Sequence, residues 1–151
     1  QCAVIEFARN VCRLKGANST EFDKKARYPV IDLMESQRAI KRKGGTMRLG
    51  AYDCKIETGT KTFSAYRKKN ISERHRHRWE VNNRYRDRLE KNGLKISGIN
   101  KELNLVEIIE LPDHPWYVAG QFHPELKSRV SKAHPLFREF IKASVKHLNE
   151  K

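Results

Sequence analysis

The sequence has 151 residues, with 32 Lys and Arg against 18 Asp and Glu, for a formal net charge of +14. With 38% hydrophobic residues, three cysteines and no run of 18 apolar residues, it excludes a membrane-spanning helix and a disulfide scaffold. The length allows one domain with a real core, burying about two thirds of the unfolded surface. Residues 1–15 read as a helix, because Val4, Phe7, Ala8 and Val11 recur at three- and four-residue steps before Gly16. No N-cap precedes it, so the chain is expected to be a fragment that starts inside the element. No basic start with a short apolar stretch opens the sequence, and no secretory signal is expected.

A polar loop with Asn18, Ser19 and Thr20 follows, then an apolar run at 28–34 that predicts a strand. Residues 36–43 are basic and lead into Gly44-Gly45, a mobile-loop pattern. Residues 47–56 alternate as a strand holding Cys54, and short helices are predicted at 62–68 and 83–92, the second ended by Gly93. Three strands follow at 95–99, 105–111 and 116–122. The last two are joined by Pro112-Asp113-His114-Pro115 and predict an antiparallel hairpin. A terminal helix starts at Pro135, with Leu136, Phe137, Phe140, Ile141, Val145 and Leu148 on its apolar face. These elements read as one α/β domain with no repeats or linkers.

The charge is uneven. Residues 24–95 carry 21 basic against 8 acidic side chains, residues 1–23 carry three of each, and residues 96–151 carry 8 against 7. Such a concentration makes a basic nucleic-acid-binding module one reading of the chain. Aromatics interleave poorly with the basic clusters, however, and no spacing of a known nucleic-acid-binding motif is present.

Gln121-Phe122-His123-Pro124-Glu125 is the sharpest local pattern. Two apart in extended chain, His123 and Glu125 project to one side, and Pro124 stiffens the link. A carboxylate there can hold one imidazole nitrogen and leave the other as an acid/base, the base–orienter half of a nucleophilic triad. The plainer account is an exposed loop histidine beside a solvated glutamate. Cys2, Cys12 and Cys54 lack metal-ligand spacing and read as buried small hydrophobes, so no metal site is expected. In Glu73-Arg74-His75-Arg76-His77-Arg78-Trp79-Glu80 the arginines share one face and the histidines the other. Anion recognition, metal binding by His75 and His77, nucleic-acid contact through Trp79 and a solvated charged edge strand are all compatible with it. Gly44–Gly50 lacks the spacing of a phosphate loop.

Together the segments Ala17-Asn18-Ser19-Thr20-Glu21-Phe22, Gly44–Gly50, the Arg/His run through Glu80-Val81-Asn82, and Gln121–Glu125 resemble, in order and spacing, the glutamine amidotransferase domain of the CTP synthases. The resemblance runs from Gln1 to at least His147. It implies a flavodoxin-like, class I amidotransferase α/β fold with a mixed sheet, here without its N-terminal part. It also implies a Cys-His-Glu triad that hydrolyses L-glutamine to glutamate and ammonia, with His123 as base and acid and Glu125 as its orienter. By the family's G-x-C-x-G-M-Q elbow, Gln1 is the last elbow residue and the nucleophilic Cys stands four residues before it. The 151 residues alone are therefore expected to be inactive. Glu21 matches the position that meets the α-ammonium of glutamine, and Gln1 and Arg78 match other glutamine contacts. The resemblance further implies a cytoplasmic homotetramer whose synthetase domain uses ATP and Mg²⁺ to aminate UTP to CTP. GTP is the implied activator, with a lid near residues 36–43. A catalytically dead amidotransferase-like scaffold is the remaining alternative.

Overall fold

In the computed structural model, which describes residues 1–34 and 47–150, the first helix is shorter than its periodicity suggests. Helix α1 spans Cys2–Asn10 and buries Val4, Ile5, Phe7 and Ala8. It stops because the chain turns left-handed at Arg13 (φ 57°) ahead of Gly16 (φ 83°). Cys12 and Leu14 fold back into the core instead, while Val11, expected on the apolar face, is exposed. Cys2 is exposed as well, which corrects the expectation that all three cysteines are buried; Cys12 and Cys54 are. The predicted basic loop at 36–43 and the glycines Gly44 and Gly45 lie outside the described residues.

The chain divides into two compact units, Gln1–Leu49 with Arg76–Leu94, and Gly50–His75 with Lys95–Lys151. In the first, β1 (Ala17–Ser19) runs parallel to β2 (Tyr28–Asp32), which pairs antiparallel with β5 (Glu80–Val81), giving a mixed three-stranded sheet. Strand β1 was expected to be loop. Ala, Asn and Ser carry little strand propensity, and it is the neighbouring β2 that recruits them. Val30, Ile31, Ala17 and Ser19 are fully buried beside α1. The predicted helix at 83–92 is a 3-10 turn, Asn83–Tyr85, followed by α3, Arg86–Lys91. The Asn82 side chain caps the turn by accepting from Arg84 N, and Leu89 is the buried anchor of α3.

The second unit is built on a five-stranded sheet in the order β4-β3-β6-β7-β8, formed by β3 (Arg48–Ile56), β4 (Asn70–His77), β6 (Lys95–Asn100), β7 (Leu105–Glu110) and β8 (Val118–Gly120). Strands β3 and β6, β6 and β7, and β7 and β8 pair antiparallel, the last as the predicted hairpin. Its core joins Cys54, Ile56, Ala65, Ile108, Phe122 and Leu136. Gly98 is required there: a Cβ would lie 2.7 Å from the Ile108 side chain and 2.8 Å from Cys54 Sγ. Helix α2 (Lys61–Tyr66) is capped by Thr60, whose Oγ1 accepts from Phe63 N at 3.0 Å.

Helix α4 (Pro135–Asn149) starts at an N-cap histidine, His134, whose Nδ1 accepts from Leu136 N at 3.3 Å. Its sequence face is only partly used. Leu136 is buried, whereas Phe137, Phe140, Ile141, Val145 and Leu148 are exposed. Periodicity reports that a helix is amphipathic and is silent on what its face meets. Among the described residues no helix is long and apolar enough to cross a membrane.

Candidate active site

His123 follows β8 and sits at the N-cap of a 3-10 turn, Pro124–Leu126. The fixed φ of Pro124 suits the first turn position, where a missing N–H costs nothing. Two main-chain bonds hold the approach: Gln121 N donates to Glu107 O at 2.8 Å, and His123 N donates to Arg74 O at 2.9 Å. His123 Nδ1 lies 2.7 Å from Glu125 Oε1, with the side chains 36% and 57% exposed. An ionised carboxylate can only accept, so Nδ1 carries the proton and Nε2 is the basic nitrogen of the ring. The expected pair is formed.

The other candidate residues lie in the first unit. Gln1, half-buried, donates from Nε2 to the Trp79 carbonyl at 3.0 Å. The same carbonyl accepts from His77 Nδ1 at 3.1 Å, and His77 Nδ1 is 3.3 Å from Glu80 Oε1. Glu80 in turn meets Arg48 Nη1 at 3.3 Å, both side chains 3% exposed. Arg78 lies with its guanidinium carbon 5.8 Å from the centre of the Trp79 ring, a cation–π stack that orients the fork. Gln1 and the turn that carries Arg78 are thus tied together. Glu21 is exposed in the tight turn after β1, where its N–H donates to Ser19 Oγ at 3.1 Å.

Strand β4 explains the Arg/His run. Glu73 and His75 are buried while Ser72, Arg74 and Arg76 are exposed, the expected alternation on a strand at the edge of the sheet. His75 has its own partner, with Nε2 3.3 Å from Glu107 Oε2 and both side chains fully buried. Among the described residues no three His, Cys, Asp or Glu side chains gather in a way that could hold a metal ion.

The sequence profile of the family Glutamine amidotransferase class-I matches residues 1–143. The chain belongs to the class I glutamine amidotransferase family. The CTP synthase of Chlorobium phaeovibrioides is 62% identical over 144 residues, covering 95% of this chain and 24% of that protein. That of Trichlorobacter lovleyi is 59% identical over 151 residues, covering the whole of this chain and 28% of that protein. The chain therefore spans about a quarter of the length of these curated relatives. Among solved structures, the glutaminase domain of Trypanosoma brucei CTPS with bound acivicin matches with a TM-score of 0.88 and 37% identity, over 97% of this chain and 57% of that one. The amidotransferase resemblance read from the motifs holds, and these likenesses do not favour the nucleic-acid-binding reading.

The sequence pattern missed the group built around Glu73 in the same unit as His123: Glu73, His134, Lys127 and Tyr66. The available signal was Glu73 in register with His75 on the inner face of a charged strand.

Proposed function

We propose that this chain is the His- and Glu-bearing part of the glutaminase domain of a cytoplasmic CTP synthase. The observation that carries the reading is the 2.7 Å contact between His123 Nδ1 and Glu125 Oε1 at the end of β8. In this reading the elbow cysteine, four residues ahead of Gln1, gives its thiol proton to His123 Nε2 and attacks the carboxamide carbon of L-glutamine as a thiolate. His123 Nε2 gives its proton to the departing ammonia, and a γ-glutamyl thioester remains. His123 then takes a proton from water, whose oxygen attacks the thioester carbonyl, releasing glutamate and restoring the thiolate. Such acid/base work contributes about 10²–10⁴ in rate. Glu125 fixes the tautomer and steadies the imidazolium.

Glu21 meets the α-ammonium of glutamine, while Arg78 and Gln1 meet its α-carboxylate end, a forked guanidinium suiting a carboxylate. The ammonia serves a synthetase domain that uses ATP and Mg²⁺ to aminate UTP to CTP. The assembly is a homotetramer activated by GTP.

The test uses a longer chain carrying the elbow cysteine and the synthetase part. His123→Ala is expected to abolish glutamine-dependent CTP formation while free ammonia still supports it. Retention of glutamine-dependent activity, or loss of the ammonia-dependent activity, overturns the role of His123. The 151-residue chain by itself is expected to release no ammonia from glutamine, and release would displace the nucleophile from the elbow.

A further inference from the structure

Three carboxylates are buried in the second unit, each with different partners. Glu110 accepts from Lys61 N and Thr62 N at 2.9 and 3.0 Å and so receives the start of α2. Glu107 meets His75. Glu73, with a side chain 3% exposed, takes Tyr66 Oη at 3.0 Å and His134 Nε2 at 3.2 Å on one oxygen, and Lys127 Nζ at 3.5 Å on the other. Burial works to raise its pKa, but His134, then Lys127 and Tyr66, together hold the carboxyl below its ordinary value.

Two of these partners flank the segment that carries His123. Lys127 lies two residues beyond Glu125, and its ammonium also donates to the Ser72 carbonyl. The next carbonyl but one on β4, that of Arg74, accepts from His123 N at 2.9 Å. Consecutive residues 72, 73 and 74 of β4 thus hold both ends of the segment 123–127. On the other side the His134 ring lies 6.3 Å from that of Phe122, the residue before His123. The His123 and Glu125 side chains themselves are 36% and 57% exposed. The bonds of the His123 amide to Arg74 and of Lys127 to Ser72 tie the segment that carries them to β4. Proton transfer is lost steeply with misplacement on the order of 1 Å.

The geometry points to Glu73 as a positioning residue for His123. Through Lys127 at one end of the segment 123–127 and His134 beside the other, it fixes the segment against β4. This rests on reading His123 as the base of the glutaminase reaction.

The first readout needs no activity. Hydrogen exchange at the His123 amide in the 151-residue chain reports the bond to Arg74 directly. Glu73→Gln and Lys127→Met are each expected to speed it about tenfold while the amides of β7 keep their protection. In a longer chain with the elbow cysteine, both substitutions are expected to lower kcat for glutamine about tenfold with KM within about twofold, the split expected when an interaction is made only in the transition state. The double variant is expected to fall no further than the worse single one, because the two side chains form one link. Unchanged exchange at His123, or unchanged kcat, in Lys127→Met overturns the proposal. If Glu73→Gln loses protection throughout β6 and β7, it has unfolded, and Lys127→Met, changed at a partly exposed side chain, decides alone. If His123→Ala keeps glutaminase activity, the base assignment fails, and the exchange result still decides whether Glu73 fixes the segment.

Discussion

The second unit contains the same chemical pair three times, an imidazole against a carboxylate, in two settings. His75–Glu107 and His134–Glu73 are sealed from solvent, their side chains at most 3% exposed, at 3.3 and 3.2 Å. His123–Glu125 is shorter, at 2.7 Å, and its side chains are more than a third exposed. A buried pair is committed: its donors and acceptors serve each other, and removing one partner strands the second in a low dielectric. An exposed pair gains little stability, since water competes for both groups. In the proposed reaction its value lies in Nε2, the nitrogen that Glu125 leaves unbound. Burial therefore separates two imidazoles sealed in the core from the one that water reaches, and the Phe122 ring lies between the kinds, 6.0 Å from His75, 6.3 Å from His134 and next in sequence to His123.

The largest expected effect is on the exposed pair. Glu125→Gln keeps the shape of the side chain but frees the ring to adopt the wrong tautomer, and kcat for glutamine in a longer, elbow-bearing chain is expected to fall about 10²–10⁴-fold. The urea midpoint of the 151-residue chain should stay put. A large loss of stability would place Glu125 with the buried kind. The reverse pattern is expected at Glu107→Ala, which should destabilise the chain by about 3–5 kcal/mol in urea titration. A cost under about 1 kcal/mol there would dissolve the distinction between the two settings.

The exposed pair was legible because the contact between its two side chains is local. Two side chains two apart in extended chain face one way, and proline between them limits the alternatives. The buried pairs were not, because their partners come from elsewhere: Glu73 reaches His134 across 61 positions, and Lys127 reaches back 55 to Ser72. Alternation along β4 told which side chains point inward and nothing about what awaits them. The same limit explains the end of α1, decided by one left-handed residue at Arg13, and the terminal helix, whose apolar face was read correctly as a pattern yet buries only Leu136. Strand β1 was hidden because its pairing with β2, rather than its own residues, makes it a strand.

Phe122→Leu probes the residue between the two kinds. It removes the ring that His75 and His134 both touch edge-on or tilted, and a loss of about 1–2 kcal/mol is expected for a shrunken buried aromatic. The same variant should reduce kcat for glutamine in the longer chain, because His123 follows directly. Loss of stability with kcat intact would show that the inner histidines and the outer one are mechanically separate.

The smallest effect is a pH dependence, and its sign follows from the Glu73 cluster. Folding holds the Glu73 carboxyl below its ordinary value of 4.5, so below that value the unfolded chain binds more protons than the folded one. Stability from this group is complete above pH 4.5 and drains away as the pH falls through the lower folded value. Tyr66 works from the other side. Burial, with the Glu73 charge beside it, pushes its phenol above the ordinary 10.0, so its contribution is complete below pH 10 and is lost as the pH climbs beyond it. The urea midpoint of the 151-residue chain should therefore decline at both edges of that window. Glu73→Gln should flatten both edges at once, because it removes the acid-side group and the charge that helps raise Tyr66. Flattening at the acid edge alone would detach Tyr66 from the cluster. No flattening at either edge would mean that the buried carboxylate contributes through its hydrogen bonds and not through its charge.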